Sequence, residues 1–437
     1  MGTLWFVCLY RAGHDGTCTI WRTKNQKYPL RHRGAFWQGR ARKPRKALKQ
    51  NTLFYWYGNQ VKQLTEQFAR MYGVKHCVAA SSGTAAIHVA LGACGVTVGD
   101  EVITSPITDM GSIIGILFQN AVPVFADLDP HSYCLDPRSV EEKITDRTKA
   151  ILVVHLTGGP ANMDAIMDIA RRHGLRVIED CAQSYLAEYK GRLCGTIGDI
   201  GCFSLNDFKQ ISAGDGGLLI MNDEELYRTS LRFADKNYER LAGQAASRNV
   251  NFLAPNYRMN ELTGAVGLAQ IGRLESICRR RTEIGDRLSA ALSQLPGVYP
   301  PKVEADSRST YWFYMFRINE QEAGVSRDLF SKALAEEGIE NSCGYIPNCI
   351  YEYGMFLNRS AYIESHCPFD CQYNARQYSY QKGMCSTAEA ILNTSIRLTV
   401  SEFYTDRDVE DIIAAISKVS RYFLEKKKAE GKAVVTA

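Results

Sequence analysis

Beyond residue 60 the chain alternates between two kinds of apolar pattern. Apolar positions spaced three and four apart predict helices over 61–71, 84–93, 137–144 and 163–173. Between them lie short, continuous Val/Ile/Leu-rich runs at 75–80, 101–104, 123–126, 150–156 and 175–179, with further strand-like runs at 198–205 and 217–221. Such strands have no polar face to turn to water. Alternating with helices, they predict an α/β fold whose mainly parallel sheet is covered on both faces. After Met259 the pattern changes. A long helical stretch over 261–281 carries small residues at Gly264, Ala265, Gly267 and Ala269, and a turn follows near 295–301. A strand at 311–318 and helices at 327–337 and 406–423 then predict a smaller α+β domain. The expected organisation is an unassigned leader over 1–22, an arm over 23–60, a large domain over 61–300 and a small C-terminal domain over 301–437.

Composition narrows this picture. The chain has 437 residues, 45% of them hydrophobic and 23% charged, which is the make-up of an ordinary soluble protein with room for two domains. No apolar run approaches the roughly 18–20 residues that span a bilayer. The apolar stretch at 4–10 has no basic residue before it, so it makes a poor signal peptide, and Phe6 stands where a myristoylation signal needs Ser or Thr. A cytoplasmic location and no membrane partner are expected. The 14 cysteines are scattered; Cys77, Cys94, Cys181 and Cys202 sit in apolar settings, so reduced thiols are expected rather than a disulfide framework. Cys367 and Cys371 form a C-x3-C pair without the second pair a zinc site requires, and no metal is expected. Charge adds one asymmetry. Between Gly16 and Thr65 there are twelve Lys and Arg and no acidic residue, although the whole chain carries only +5. A basic arm can meet a polyanion, but no nucleic-acid recognition motif accompanies it, so nucleic acid is not the expected partner.

Candidate chemistry falls at the ends of the expected strands. Ser81-Ser82-Gly83-Thr84 lies between a strand and a helix, where free backbone N–H groups suit either a phosphate or simple N-capping. Asp180 ends the run "RVIED", at the edge where α/β proteins build ligand sites, and Gln183 follows three residues later. In "FSLNDFKQISAGDGG", Lys209 follows Ser204 and precedes Gly214, Gly216 and Gly217, a turn that needs unusual backbone angles or a close approach. Most lysines are only solvated. This one, held at a strand edge facing Asp180, has the parts for a Schiff base: an amine for an aldehyde and a carboxylate for a pyridinium proton. With Ser82–Thr84 and Ser204 on a phosphate, one cofactor, pyridoxal 5′-phosphate, accounts for all four features. A Walker site is excluded, because no G-x4-G-K-[ST] is present.

These residues sit within longer stretches that identify the chain further. "ASSGTAAIHVAL" (79–90), "PVFADLDP" (123–130), "VIEDCAQSYLAEYKGRLCGTIGDIGCFSL" (177–205), the K-x4-GDGG element (209–217) and "NYRMNELTGAVGLAQI" (256–271) resemble the DegT/DnrJ/EryC1/StrS family of sugar and aminocyclitol aminotransferases, over roughly residues 23 to 425. The resemblance implies the fold of fold-type I pyridoxal phosphate enzymes. It implies that Lys209 forms the Schiff base and moves the proton, that Asp180 partners the ring nitrogen, and that Gln183 lies beside the ring. Gly83, Thr84 and Ser204 are implied phosphate ligands. Asn256 resembles the family asparagine that reaches the phosphate across a dimer interface, which implies a homodimer with shared sites; Arg258 is similar to a residue that binds substrate or holds the loop. The sugar dehydratases of the group carry His at the position of Lys209, so a lysine favours transamination.

Two departures from the family pattern matter. Thr108-Asp109-Met110-Gly111-Ser112 stands where many relatives place an aromatic that stacks on the ring, so Asp109 either contacts substrate or leaves the stacking to another side chain. Cys385-Ser386-Thr387-Ala388-Glu389 lacks the proline of the corresponding element. The expected function is a pyridoxal-phosphate-dependent aminotransferase taking an amino group from glutamate or glutamine to a keto-sugar, often nucleotide-linked, or a keto-cyclitol. The alternatives are an elimination on the same cofactor and a cofactor-binding regulator without turnover.

Overall fold

The computed structural model describes residues 42–240, 245–370, 372–374 and 378–435. The expected leader, residues 23–41 of the basic arm and Cys371 of the C-x3-C pair lie outside the described residues. Helices α1 (Arg42–Leu48) and α2 (Gln60–Tyr72) lead into β1 (His76–Ala80). There follow α3 (Gly83–Ala93), β2 (Glu101–Thr104), α4 (Met110–Phe118), β3 (Val122–Phe125), α5 (Pro137–Glu142), β4 (Thr148–Val154), α6 (Met163–His173) and β5 (Arg176–Asp180). A short hairpin of β6 (Glu188–Tyr189) and β7 (Arg192–Leu193) precedes β8 (Ile200–Ser204), β9 (Gly217–Met221) and α7 (Glu224–Ala234). The seven-stranded sheet runs β1-β9-β8-β5-β4-β2-β3. Its strands are mutually parallel except β9, which is antiparallel to both neighbours.

Successive strand residues feed opposite faces, as strand geometry requires. Ile151, Val153 and Val177 join α6 on one side, while Ala150, Leu152 and Ile178 join α3 and α7 on the other. The 32-residue α8 (Glu261–Leu292) packs against α2. A Cβ at Gly264 would lie 2.6 Å from Val61 Cγ2, so the small residues noted in the sequence are what lets the two helices approach. The buried Glu261 carboxylate accepts the Gln60 and Val61 N–H groups and so caps α2.

A smaller antiparallel sheet follows, ordered β10-β11-β13-β12, from β10 (Val298–Tyr299), β11 (Phe313–Ile318), β12 (Asn341–Cys343) and β13 (Ser395–Thr399). Helices α9 (Arg327–Glu336), α10 (Ser386–Thr394) and α11 (Asp406–Val435) accompany it. Several elements were not foreseen. The stretch MGSIIGILF of α4 is apolar on nearly every side and largely buried, so no amphipathic period marks it. The two- and three-residue strands β10 and β12 carry too few apolar residues to show a run, and their pairing with β11 and β13 creates them. Among the described residues, no helix is long and apolar enough to cross a membrane.

Candidate active site

The C-terminal edge of the parallel strands gathers the candidate residues. Asp180 is the last residue of β5, Ser204 the last of β8, and Ala80 the last of β1. Gly217 opens the antiparallel β9 between them, opposite both Ala80 and Ser204. A Cβ on Gly217 would lie 2.1 Å from the Ser82 carbonyl oxygen, and one on Gly83 would lie 2.6 Å from Ser204 Cβ. Glycine at both positions therefore brings the start of α3 onto the end of β8. Gly214 and Gly216 have φ of 88° and 138°, which turns the chain after Lys209 back into β9.

These elements enclose a cavity of about 290 Å³, near the lower end for small-molecule sites. Ser82, Gly83, Thr84 and Ser204 line one end. Ser82 caps α3 by accepting the Ala85 N–H at 3.0 Å, and the first-turn N–H groups of a helix have no intrahelical acceptor. Asp180 and Gln183 line the floor with Lys209 and Asp109 beside them. Asp180 Oδ2 accepts the Ser112 hydroxyl at 2.7 Å and Oδ1 accepts the Ala182 N–H at 3.0 Å. Thr108 hydrogen-bonds Ser112 in turn. Burial pushes the Asp180 carboxyl above its usual range, against the bonds from Ser112 and Ala182 and the charge of Lys209. Burial lowers the half-buried Lys209 amine, against the carboxylates of Asp180 and Asp109. Gln183 Oε1 accepts the Thr157 N–H at 2.8 Å, which fixes its side chain.

The expected set thus divides. Lys209, Asp180, Gln183, Gly83, Thr84, Ser204 and Asp109 surround one cavity. Asp109 also caps α4, accepting the Gly111 N–H at 2.8 Å. Arg258 is elsewhere: it pairs with Asp235 at 2.6 Å and lines a second cavity of about 710 Å³ with Tyr55, Trp56 and Arg240. Asn256 is exposed on the same loop, bridged to Asp235. Within one chain, neither joins the Lys209 cavity. Ser112 and Trp312 were missed as functional candidates. Ser112 lies in the first turn of a helix with no sequence period, and Trp312 precedes a distant strand.

The DegT/DnrJ/EryC1/StrS aminotransferase family matches residues 39–373. The chain belongs to this family. The spore coat polysaccharide biosynthesis protein SpsC of Bacillus subtilis is 36% identical over 369 residues, covering 83% of this chain and 90% of that protein. The L-glutamine:2-deoxy-scyllo-inosose aminotransferase of Streptoalloteichus tenebrarius is 37% identical over 376 residues, 83% of this chain and 86% of that one. The solved aminotransferase of Psychrobacter cryohalolentis superposes with a TM-score of 0.78 at 28% identity, over 88% of this chain and 97% of that chain.

The aminotransferases of this family and its structural neighbours depend on pyridoxal phosphate. The residues present fit that group. A cradle that a Cβ at Gly83 would fill lies at a helix N-terminus, a buried carboxylate ends a parallel strand, and a primary amine borders the same cavity. A three-residue cluster behind the site has a different character. His155, Glu179 and Cys181 place ligand-type atoms within 4.8 Å of one another. Glu179 already accepts His155 Nε2 at 2.9 Å and the N–H groups of Gly195, Ile197 and Gly198. His155 Nδ1 accepts the Ala161 N–H, and burial pushes the Cys181 thiol far up. The lone pairs a metal would need are in use, and the cluster reads as a structural anchor for β5.

Proposed function

We propose that this aminotransferase uses pyridoxal phosphate to move an amino group from glutamate or glutamine to a keto-sugar or keto-cyclitol. The observation that carries this reading is the meeting of Lys209, Asp180 and the α3 N-terminus in one cavity. When bound, the cofactor supplies an aldehyde and a protonated ring able to draw electrons from a substrate carbon. Gly83, Thr84 and Ser204 would hold its phosphate, Asp180 its ring nitrogen, and Gln183 would border the ring. Asp180 would keep a proton at that nitrogen, and the Ser112 hydroxyl keeps the carboxylate aimed. Lys209 takes and returns protons at Nζ; burial lowers its affinity for them, against the carboxylates of Asp180 and Asp109.

The same reading assigns 61–300 to the cofactor domain and 301–437 to the small domain. It assigns Asn256, exposed on its loop, to the phosphate site of a second copy. Asp109, on the cavity wall, is assigned to substrate, and Arg258, paired with Asp235 outside that cavity, to holding the Asn256 loop. The glutamine donor and cyclitol acceptor named for the Streptoalloteichus relative, and the polysaccharide role named for the Bacillus relative, support this range of substrates. The test is an absorption spectrum of the purified protein with pyridoxal phosphate, before and after glutamine or glutamate. A visible band that the donor converts is expected in the native chain and not in Lys209→Ala. A band that persists in Lys209→Ala overturns the assignment.

A further inference from the structure

Trp312 stands immediately before β11 of the small sheet, with its indole against the Lys209 side chain. Its ring centroid lies 3.8 Å from Lys209 Nζ, well inside the range over which an ammonium is attracted to an aromatic face. Its indole Nε1–H donates to the Phe208 carbonyl at 2.7 Å. One side chain therefore offers a face to the Lys209 amine and grips the backbone one residue before it.

The tryptophan is itself fixed from several sides. Its N–H donates to the Thr157 carbonyl at 2.8 Å, and its carbonyl accepts Arg281 Nη1 at 3.0 Å. The Tyr345 ring meets the indole edge-on, with centroids 5.9 Å apart. Thr157 is left-handed at φ 62°, a conformation a β-branched residue holds only when its surroundings demand it. Its N–H goes to Gln183 and its carbonyl to Trp312, so the residue beside the cavity floor and the residue over the lysine share one strained link. A Cβ on Gly158 would lie 2.7 Å from the Tyr311 nitrogen and 3.0 Å from that of Trp312, so the two segments are in direct backbone contact.

We propose that Trp312 is a positioning residue for Lys209, seating its ammonium on the indole face and clamping the chain at Phe208, so that the side chain stays at the Asp180 cavity whenever it is not covalently engaged. The inference rests on Lys209 being the reacting amine. The charged groups around that amine are Asp180 from β5, Asp109 from the start of α4 and Asp215 from the glycine turn, which lines the same cavity. Tyr345 lies across the indole and feels both Asp109 and Asp180. The carboxylates and the indole face favour the ammonium, and burial opposes them. Removing the face leaves burial with fewer opponents.

The experiment uses the cofactor-free protein. Acetic anhydride labelling at a series of pH values, read by mass spectrometry on the peptide containing Lys209, gives the midpoint at which the amine becomes reactive. Trp312→Leu has neither face nor donor, and its midpoint is expected about one pH unit below the native one. Trp312→Phe keeps a face and the packing but loses the donor. Its midpoint is expected to stay near the native value, while kcat in the loaded enzyme falls about tenfold with KM for the donor unchanged. A native midpoint in Trp312→Leu overturns the seating role, and a native kcat in Trp312→Phe overturns the clamp. Should Trp312→Leu fail to fold, Trp312→Met, which fills part of the same space without an aromatic face, carries the test, and a native midpoint there overturns the seating role. Absence of a visible band with pyridoxal phosphate in the native chain would instead remove the cofactor reading, and the labelling midpoints would still decide about Trp312.

Discussion

Glu179 and Asp180 are neighbours at the end of β5, and both carboxylates are buried, yet their surroundings differ in what they leave open. Glu179 points to a cluster that meets it with four donors, from His155, Gly195, Ile197 and Gly198. Burial alone would raise its pKa, but these bonds, the one from His155 first among them, hold it below the usual range. Asp180, on the opposite face, receives two donors and stays above the usual range because burial wins. Equal burial thus yields opposite electrostatics, and the number of donors decides the sign. The saturated acid anchors a loop, and the under-coordinated acid faces the cavity with capacity left for a ligand. An active site and its scaffold are distinguished here by unspent hydrogen-bonding capacity rather than by residue type.

The comparison breaks most sharply under Asp180→Asn. Activity should fall on the order of 10²–10³-fold, while the cofactor-free protein should melt at or slightly above the native temperature, because a buried, under-coordinated charge has been removed. Steady-state rates together with calorimetry check this, and a large loss of stability would show that Asp180 is a structural acid after all.

Glu179→Gln is the converse. It removes the charge and turns an amide N–H₂ toward backbone donors, and should cost about 3 kcal/mol of stability in denaturant unfolding. Acid titration sharpens the point. The depressed pKa of Glu179 stabilises the fold above its unfolded value near 4.5, and that contribution is lost as pH falls through the lower folded value. Asp180 has the opposite sign: its raised pKa costs stability as pH rises from about 3.8 through the folded value. Glu179→Gln should therefore show a shallower acid limb than the native chain, and an unchanged limb would remove Glu179 from the account.

The smallest effect is expected from Ser112→Ala. It deletes one of the two bonds to Asp180, so activity should drop about tenfold with stability changed by about 1 kcal/mol. The acid limb of the rate profile should move upward as Asp180 loses a donor that favours its charged form. Loss of stability without a shift in that limb would mean that Ser112 serves packing only.

Much of the frame was legible along the chain. Strands Glu101–Thr104 and Gly217–Met221 and helix Met163–His173 lie where the apolar pattern placed them, because a strand buried on both faces and a helix with one greasy side leave local signatures. The long helices were foreshortened: α8 runs on to Leu292 and α11 to Val435. Part of the site was also legible. Lys209, Asp180 and the Ser82–Thr84 turn each stand beside an element boundary that local composition reveals.

What the amino-acid order determined by itself was the α/β class, the strand ends and the residue types waiting at them, because each follows from neighbours within a few positions. What only the tertiary structure decided was which of those residues meet, and with whom. Ser112 reaches Asp180 from 68 residues away, and Trp312 reaches Phe208 from 104. Neither partnership has a local period or motif. Each exists because sheet order brings β2, β5 and β8 to one edge and the small sheet closes over it, and that order is set by the packing of the whole core.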